Sequence, residues 1–203
     1  MTKCYSHGKI LLTGEYMVLV GAEALAIPTK MGQSLEFEPN DSKTLNWESW
    51  DFKNKLWFNA TIDIMDFSVS NTSSETIALK LIKILKAVRD QKNNFLSKKG
   101  GTVKTHLEFE RQWGLGTSST LISNLARWSQ TNPYKLLQNS FGGSGYDIAC
   151  ASAKSPLIFR KQHLDPHIER CKFEPPFKTS LYFVYLNQKK NSREAIEFFK
   201  RQN

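Results

Sequence analysis

The sequence predicts a single large α+β domain. Segments that alternate at strand period and segments striped at helical period follow one another in mixed order, with no internal repeat. Five Trp, thirteen Phe and six Tyr supply enough apolar area to offset the entropy of ordering. The 203 residues amount to one domain, or one plus part of another, at ~100–200 residues per domain. Eleven Gly and seven Pro without a period exclude a collagen-like or low-complexity chain.

Lys9–Leu12 is a short apolar strand ended by Gly14, and Tyr16–Val20 resumes it as far as Gly21. Gln33–Glu38 alternates, with Leu35 and Phe37 on one face. Pro39-Asn40-Asp41 is a turn, after which Thr44–Trp50 and Lys55–Ile62 form an aromatic-rich hairpin around the polar Asp51–Asn54. Residues 73–92 are the clearest helix. Ser73 or Ser74 caps it, Glu75 suits its positive end, and Ile77, Leu81, Ile84, Leu85 and Val88 form one stripe, with Lys80, Lys83 and Lys86 off its centre. Thr102–Phe109 returns to strand period, placing Val103, Thr105, Leu107 and Phe109 on one face. A helix over Thr117–Ser129 carries Leu121, Ile122, Leu125 and Trp128 on one side. Pro133 starts a short helix over Tyr134–Gln138, and Asp147–Ala153 is a small-residue helix. Pro156–Phe159 and Leu181–Leu186 are strands, and Asn191–Arg201 is a final helix.

Composition narrows the class of partner. The formal net charge is +9, but the basic residues are dispersed and the densest patches, Lys98-Lys99 and Lys189-Lys190, are too small for a nucleic-acid stripe. A solvated basic surface is favoured, with a small polyanionic ligand as the alternative. Met17–Ala22, bounded by Glu15 and Glu23, falls far short of the ~20 apolar residues of a spanning helix, and no secretory signal is visible. Neither nucleic acid nor membrane is expected as a partner. Cys4, Cys150 and Cys171 are odd in number and widely spaced, so structural thiols in a reducing cytoplasm are expected. His163 and His167 have i,i+4 spacing, but Pro166 between them argues for a surface loop, and His106 falls on the outer face of its strand.

Three segments carry chemistry because glycine and small polar residues replace apolar ones where a strand meets a helix. In Gly114-Leu115-Gly116-Thr117-Ser118-Ser119, the glycines let backbone approach a ligand and the following helix offers free N–H groups at its positive end, which suits a phosphate. The hydroxyls can bond phosphate oxygens or reach magnesium. An ordinary capped glycine turn is the other reading, and no Walker-type Gly-Lys-Ser/Thr follows. In Gly142-Gly143-Ser144-Gly145-Tyr146-Asp147, the carboxylate can orient or deprotonate a hydroxyl, or simply cap the next helix. In Gly8-Lys9 with Gly14-Glu15-Tyr16, Lys9 can stabilise transferring phosphoryl charge or pair with Glu15 at the surface. His7, beside Gly8, can touch a substrate.

Taken together, these segments resemble the GHMP kinase superfamily. The first motif looks like Gly8-Lys9-Ile10-Leu11-Leu12-Thr13-Gly14-Glu15-Tyr16, continuing through Gly21 and Ala24-Leu25-Ala26 to Pro28. The second matches Gly114–Ser118 and the Ser-Gly-x-Asp element matches Ser144-Gly145-Tyr146-Asp147. The resemblance implies a GHMP-type N-terminal domain, of the kind shared with a ribosomal-protein domain, over 1–175, and the start of a ferredoxin-like C-terminal domain over 176–203. It implies an ATP- and magnesium-dependent kinase acting on a small molecule. Gly114, Leu115, Gly116, Thr117, Ser118 and Ser119 would wrap the ATP phosphates, with Ser118 on the metal. Asp147 and Lys9 would be catalytic, and His7, Glu15, Tyr16, Ser144 and Gly145 would lie at the substrate. The Tyr16-Met17-Val18-Leu19 and Gly-Ser-Gly-Tyr-Asp runs are more similar to phosphomevalonate kinases than to mevalonate kinases, and Gly-Tyr-Asp-Ile-Ala resembles a Bacteroidetes-type group. The chain departs from the pattern at Glu110, where the family has Pro, and at Ser119-Thr120, where it has Ala-Ala. Leu136–Phe141 lacks the carboxylate that mevalonate kinases use as a second metal ligand, and the family's third glycine-rich motif is not reached. The resemblance therefore implies a fragment or truncated product, weakly active or inactive, with Leu181, Phe183 and Tyr185 uncovered and self-association, as a homodimer, as a consequence. A catalytically deficient nucleotide-binding module of the same fold is the alternative.

Overall fold

The longest strand organises the sheet. In the computed structural model, which describes residues 1–162, 165–186, 198, 199 and 201, β1 (Thr2–Leu11) lies antiparallel to β2 (Ala24–Pro39), from Thr2 opposite Phe37 to Leu11 opposite Ala26. β3 (Thr44–Trp50) and β4 (Leu56–Asp63) form the expected hairpin, and the short β5 (Val69–Thr72) extends it. α1 (Glu75–Gln91) then crosses over to β6 (Gly101–Leu107), which pairs parallel to β3 and antiparallel to β2. α2 (Thr117–Ser129), α3 (Pro133–Ser140) and α4 (Tyr146–Ser152) follow, and β7 (Leu157–Arg160) and β8 (His167–Arg170) close the sheet beyond the amino-terminal end of β2. The sheet order is β5-β4-β3-β6-β2-β7-β8, with β1 also on β2. The architecture is the predicted α+β class.

Burial follows the expected stripes. Leu35, Leu45, Trp47, Phe58, Ile62 and Val103 from the sheet pack against Leu81, Ile84, Leu85 and Val88 of α1 and Ile122 and Leu125 of α2. Helix α2 is central. Beyond its apolar side it buries Ser119, Thr120, Ser123 and Asn124, so its polar face also meets protein. That face is satisfied by the sheet: Ser6 Oγ donates to Asn124 Oδ1 (2.8 Å), and Asn124 Nδ2 donates to the Gln33 carbonyl (2.9 Å). Arg89, at the end of α1, donates to the carbonyls of Met65, Phe95 and Leu96 and sits 3.9 Å over the Phe67 ring, closing the far end of the core through main-chain oxygens.

Several expectations are corrected. Tyr16–Val20 is not a strand: Met17–Val20 is one 3₁₀ turn, bracketed by Gly14 and Gly21 at φ 85° and 93°. These left-handed glycines turn the chain before a ladder can form. Strands β5 and β8 were not foreseen. Neither Ser73 nor Ser74 caps α1, because the Ser73 hydroxyl serves Asn59 of β4 and Ser74 sits at the cap position without a side-chain bond. Pro133 does open α3, where Asn132 Oδ1 accepts from the Tyr134 and Lys135 N–H groups. His106 is half-buried against Asn54 rather than exposed. Leu181–Leu186 is not a strand; Phe183 and Tyr185 instead bring their rings to Trp113, at centroid distances of 6.5 and 5.1 Å. The three cysteines are free thiols. His167 is exposed, in β8. Lys189-Lys190, His163 and, apart from Phe198, Phe199 and Arg201, the helix expected over Asn191–Arg201 lie outside the described residues.

Candidate active site

Strand β1 is bulged between His7 and Lys9, and the bulge docks the first motif on the second. The Lys9 N–H donates to the Leu115 carbonyl (2.9 Å). Only glycine fits at position 8, where a Cβ would come within 2.5 Å of Thr29 Oγ1 and 2.9 Å of the Leu115 carbonyl oxygen. A Cβ on Gly116 would stand 3.2 Å from Lys9 Cγ, so the lysine stem runs along the glycine turn.

The turn delivers α2 with its first N–H groups free. Gly116 is the N-cap at φ 95°, no side chain caps the helix, and no acid occupies its first turn. A 13-residue helix begun this way presents unpaired donors and the positive end of its dipole. Around Gly114 a Cβ would meet nothing within 4 Å, and the same holds for Gly142 and Gly143, so these glycines border open space. Ser118 is exposed there, and Thr117 half-buried. Leu115 is buried against Leu107 and Phe109 and anchors the loop. Ser119 is turned inward, on the Asp147 side: it is buried, donating to the Gly116 carbonyl (2.9 Å).

The third motif closes on the same place. Gly145, at φ 93°, starts α4 and lies against Tyr134, while Ser144 is half-buried on the turn before it. Asp147, in the first turn of α4, accepts the Ile148 N–H (3.0 Å). Burial raises the pKa of its carboxyl above the ordinary 3.8; the Lys9 charge, its own and the Ile148 backbone N–H groups, and Ser119 pull it back down. The Lys9 ammonium stands 5.5 Å from the centre of the Tyr146 ring. Burial, followed by the Asp147 charge, pushes Tyr134 up to about 12 and Cys150 up to about 12, and raises Tyr146 further, with Glu15 also contributing there. Lys9, Asp147, Ser119 and the Gly114–Gly116 turn, from three separate segments, thus share one site.

The remaining candidates sit around it. Glu15 is exposed on the Tyr146 side. Tyr16 holds a left-handed φ of 59° and stacks on Phe199 at 5.7 Å. His7 is tied to the Thr29 carbonyl (2.9 Å) and to the edge of Tyr5, rather than to the Lys9–Asp147 pair. Among the described residues, no three His, Cys, Asp or Glu side chains cluster as a metal cage. The hydroxyl of Ser118, exposed at an uncapped helix start, is of the kind that suits a magnesium ion held mainly by phosphate and water.

Sequence reasoning missed the cavity beside the helix start. About 470 Å³ lies between the sheet, α1 and α2, lined in part by Gln33, Trp57, Ile84, Arg111, Thr117 and Ser118. Its strand residues read as ordinary core positions, and no local signal marks them as a shared wall. The volume falls within the roughly 300–1,000 Å³ of small-molecule sites.

No family model and no curated protein matches this sequence. Solved structures match its fold. The Methanococcus jannaschii mevalonate kinase superposes with a TM-score of 0.63 at 14% identity, over 85% of this chain and 56% of that one. A D-glycero-D-manno-heptose 1-phosphate kinase from Bacteroides thetaiotaomicron gives 0.61 at 15%, over 85% and 60%. The Streptococcus pneumoniae phosphomevalonate kinase, solved with phosphomevalonate and AMPPNP, gives 0.56 at 16%, over 81% and 51%. The chain has the GHMP-kinase fold, and it spans 51–60% of the length of these three proteins.

Proposed function

We propose that the chain is the nucleotide-binding portion, residues 1–175 with a further segment over 176–203, of an ATP-dependent small-molecule kinase. The observation that carries the reading is the meeting of Lys9 and Asp147 beside the uncapped start of α2. The free N–H groups of α2, with the Gly114–Gly116 turn, receive the triphosphate. Ser118 would hold a magnesium ion, which would supply charge neutralisation for the triphosphate. Asp147 accepts the proton of the acceptor hydroxyl as that oxygen bonds to the γ-phosphorus. The bond from the γ-phosphorus to the bridging oxygen breaks, and ADP leaves. A carboxyl with a raised pKa is the stronger base for this step, and Lys9 keeps it ionised while facing the transferring charge. Glu15, Tyr16, Ser144, Gly145 and His7 border the acceptor.

The motif details favour phosphomevalonate or mevalonate as the acceptor, in a cytoplasmic enzyme. A coupled ADP-release assay with mevalonate, phosphomevalonate, galactose and homoserine tests this. Turnover with one of the first two that Asp147→Asn abolishes supports it, and turnover that survives the substitution contradicts it. One observation favours a second reading, a binding module of low activity: the chain spans 51–60% of the kinases it superposes on. ATP binding without ADP release is the outcome expected of that reading. The exposed run Leu181–Leu186 makes a homodimer the expected association state.

A further inference from the structure

The first turn of α2 holds two buried hydroxyls. Ser119 is 2% exposed and Thr120 is fully buried. At both positions the GHMP pattern has alanine, so these hydroxyls are this chain's own. Burying a hydroxyl is costly unless it is hydrogen-bonded, and each has one proton to give. Ser119 Oγ donates to the Gly116 carbonyl (2.9 Å), which also accepts the Thr120 N–H (3.0 Å). Both lone pairs of that oxygen are then engaged. The Gly116 carbonyl and the Thr117 N–H belong to one planar trans peptide and point in opposite directions, so holding the oxygen inward aims the N–H out of the helix start. Thr120 Oγ1 makes its shortest bond to Gln33 Oε1 (2.8 Å), with the Gly116 and Thr117 carbonyls at 3.0 Å.

Hydroxyl-to-carbonyl bonds within a helix are common and mean little alone. Here they close a ring. Thr120 leads to Gln33 of β2, whose carbonyl accepts Asn124 Nδ2, and Asn124 Oδ1 accepts Ser6 Oγ of β1. Three residues on, β1 gives the Lys9 N–H to the Leu115 carbonyl, beside Gly116. Ser6, Gln33, Thr120 and Asn124 are all buried, where such bonds are strong and leave little play. The turn that they brace is built on left-handed glycines, which reach other conformations freely and give it little stiffness of its own.

We propose that Ser119 and Thr120 are positioning residues of the phosphate cradle. They touch no ligand; they hold the Gly116–Thr117 peptide and the first turn of α2 in the orientation in which the free N–H groups converge on an anion, so that less order has to be created on binding. The inference rests on the triphosphate reading of the α2 start, and it gives Ser119 a part played through the main chain rather than at the phosphates.

Isothermal titration of the 203-residue protein with inorganic tripolyphosphate and with ATP, each with magnesium, tests this alongside melting curves without ligand. Ser119→Ala and Thr120→Val each remove one hydroxyl at little change of volume. Each weakens both ligands by about threefold to tenfold, and to the same degree, because the two share only the phosphates. Thr120→Ser, which restores the hydroxyl, returns the affinity to within about twofold of wild type. Ser129→Ala separates positioning from stability. Ser129 is 1% exposed, and its Oγ makes the same kind of bond, to the Leu125 carbonyl (2.7 Å), at the far end of α2. That variant lowers the melting temperature and leaves tripolyphosphate affinity unchanged. Wild-type affinity in Ser119→Ala and Thr120→Val overturns the proposal, and so does an equal weakening in Ser129→Ala or a Thr120→Ser as weak as Thr120→Val. Either of the first two variants decides the matter if the other does not fold. Failure of the unaltered protein to bind tripolyphosphate and ATP overturns the triphosphate reading, and the proposal with it.

Discussion

Helices α2 and α4 begin with the same backbone device and opposite chemistry. Each has a left-handed glycine at its N-cap, Gly116 at φ 95° and Gly145 at φ 93°, and neither has a side-chain cap. The first turn of α2 holds no acid, so its positive end stays open to an outside anion. The first turn of α4 holds Asp147, so its positive end is answered by the protein's own carboxylate, set beside Lys9. One start is thus left for a ligand's charge and the other is pre-filled with a base.

The comparison can be broken in graded ways. Asp147→Asn removes the base and gives the largest effect, a loss of about 10²–10⁴ in phosphoryl transfer measured by ADP release. The same variant raises the melting temperature at neutral pH. Because the folded carboxyl titrates above its ordinary 3.8, Asp147 contributes stability below that value, and the contribution is lost as pH rises through the raised pKa. Melting curves of Asp147→Asn across that window lack the wild-type decline. Thr117→Glu makes α2 resemble α4. It weakens tripolyphosphate binding by about tenfold in calorimetry, while raising helix stability by about 0.3–1 kcal/mol. The smallest effect separates two glycines of one turn. Gly116→Ala costs about 1–3 kcal/mol, since its Cβ would fall 2.7 Å from Ser119 Oγ in a left-handed backbone. Gly114→Ala, facing open space at φ 77°, costs about 1–2 kcal/mol of backbone strain only. Denaturant midpoints of the two variants measure the difference.

Helix starts were legible in the sequence because they are local. Thr117–Ser129 is the observed span of α2, and Pro133 opens α3 where its ring and missing N–H suit the first turn. Alternation gave β3 at its observed limits and β6 to within two residues, since one buried face imposes period two. What failed depended on distant partners. Leu181–Leu186 has strand composition but gains no ladder, and Tyr16–Val20 is apolar yet trapped between two left-handed glycines. For the candidate site, glycine and small polar residues betrayed Gly114–Ser119 and Ser144–Asp147 at once. Gln33 and Trp57 stayed hidden because each occupies an inward strand position that sequence equates with core. The unpaired Nε1 of Trp57 faces a cavity that exists only once β2, β4 and α1 are assembled.

The account turns on the open start of α2, and amide chemical shifts report it most directly. In a ¹H–¹⁵N titration of the labelled protein with magnesium ATP, the backbone amides of Gly116, Thr117 and Ser118 are predicted to move most, with a saturable dependence that inorganic tripolyphosphate reproduces. Amides that stay still there, while others respond or none does, would contradict the account.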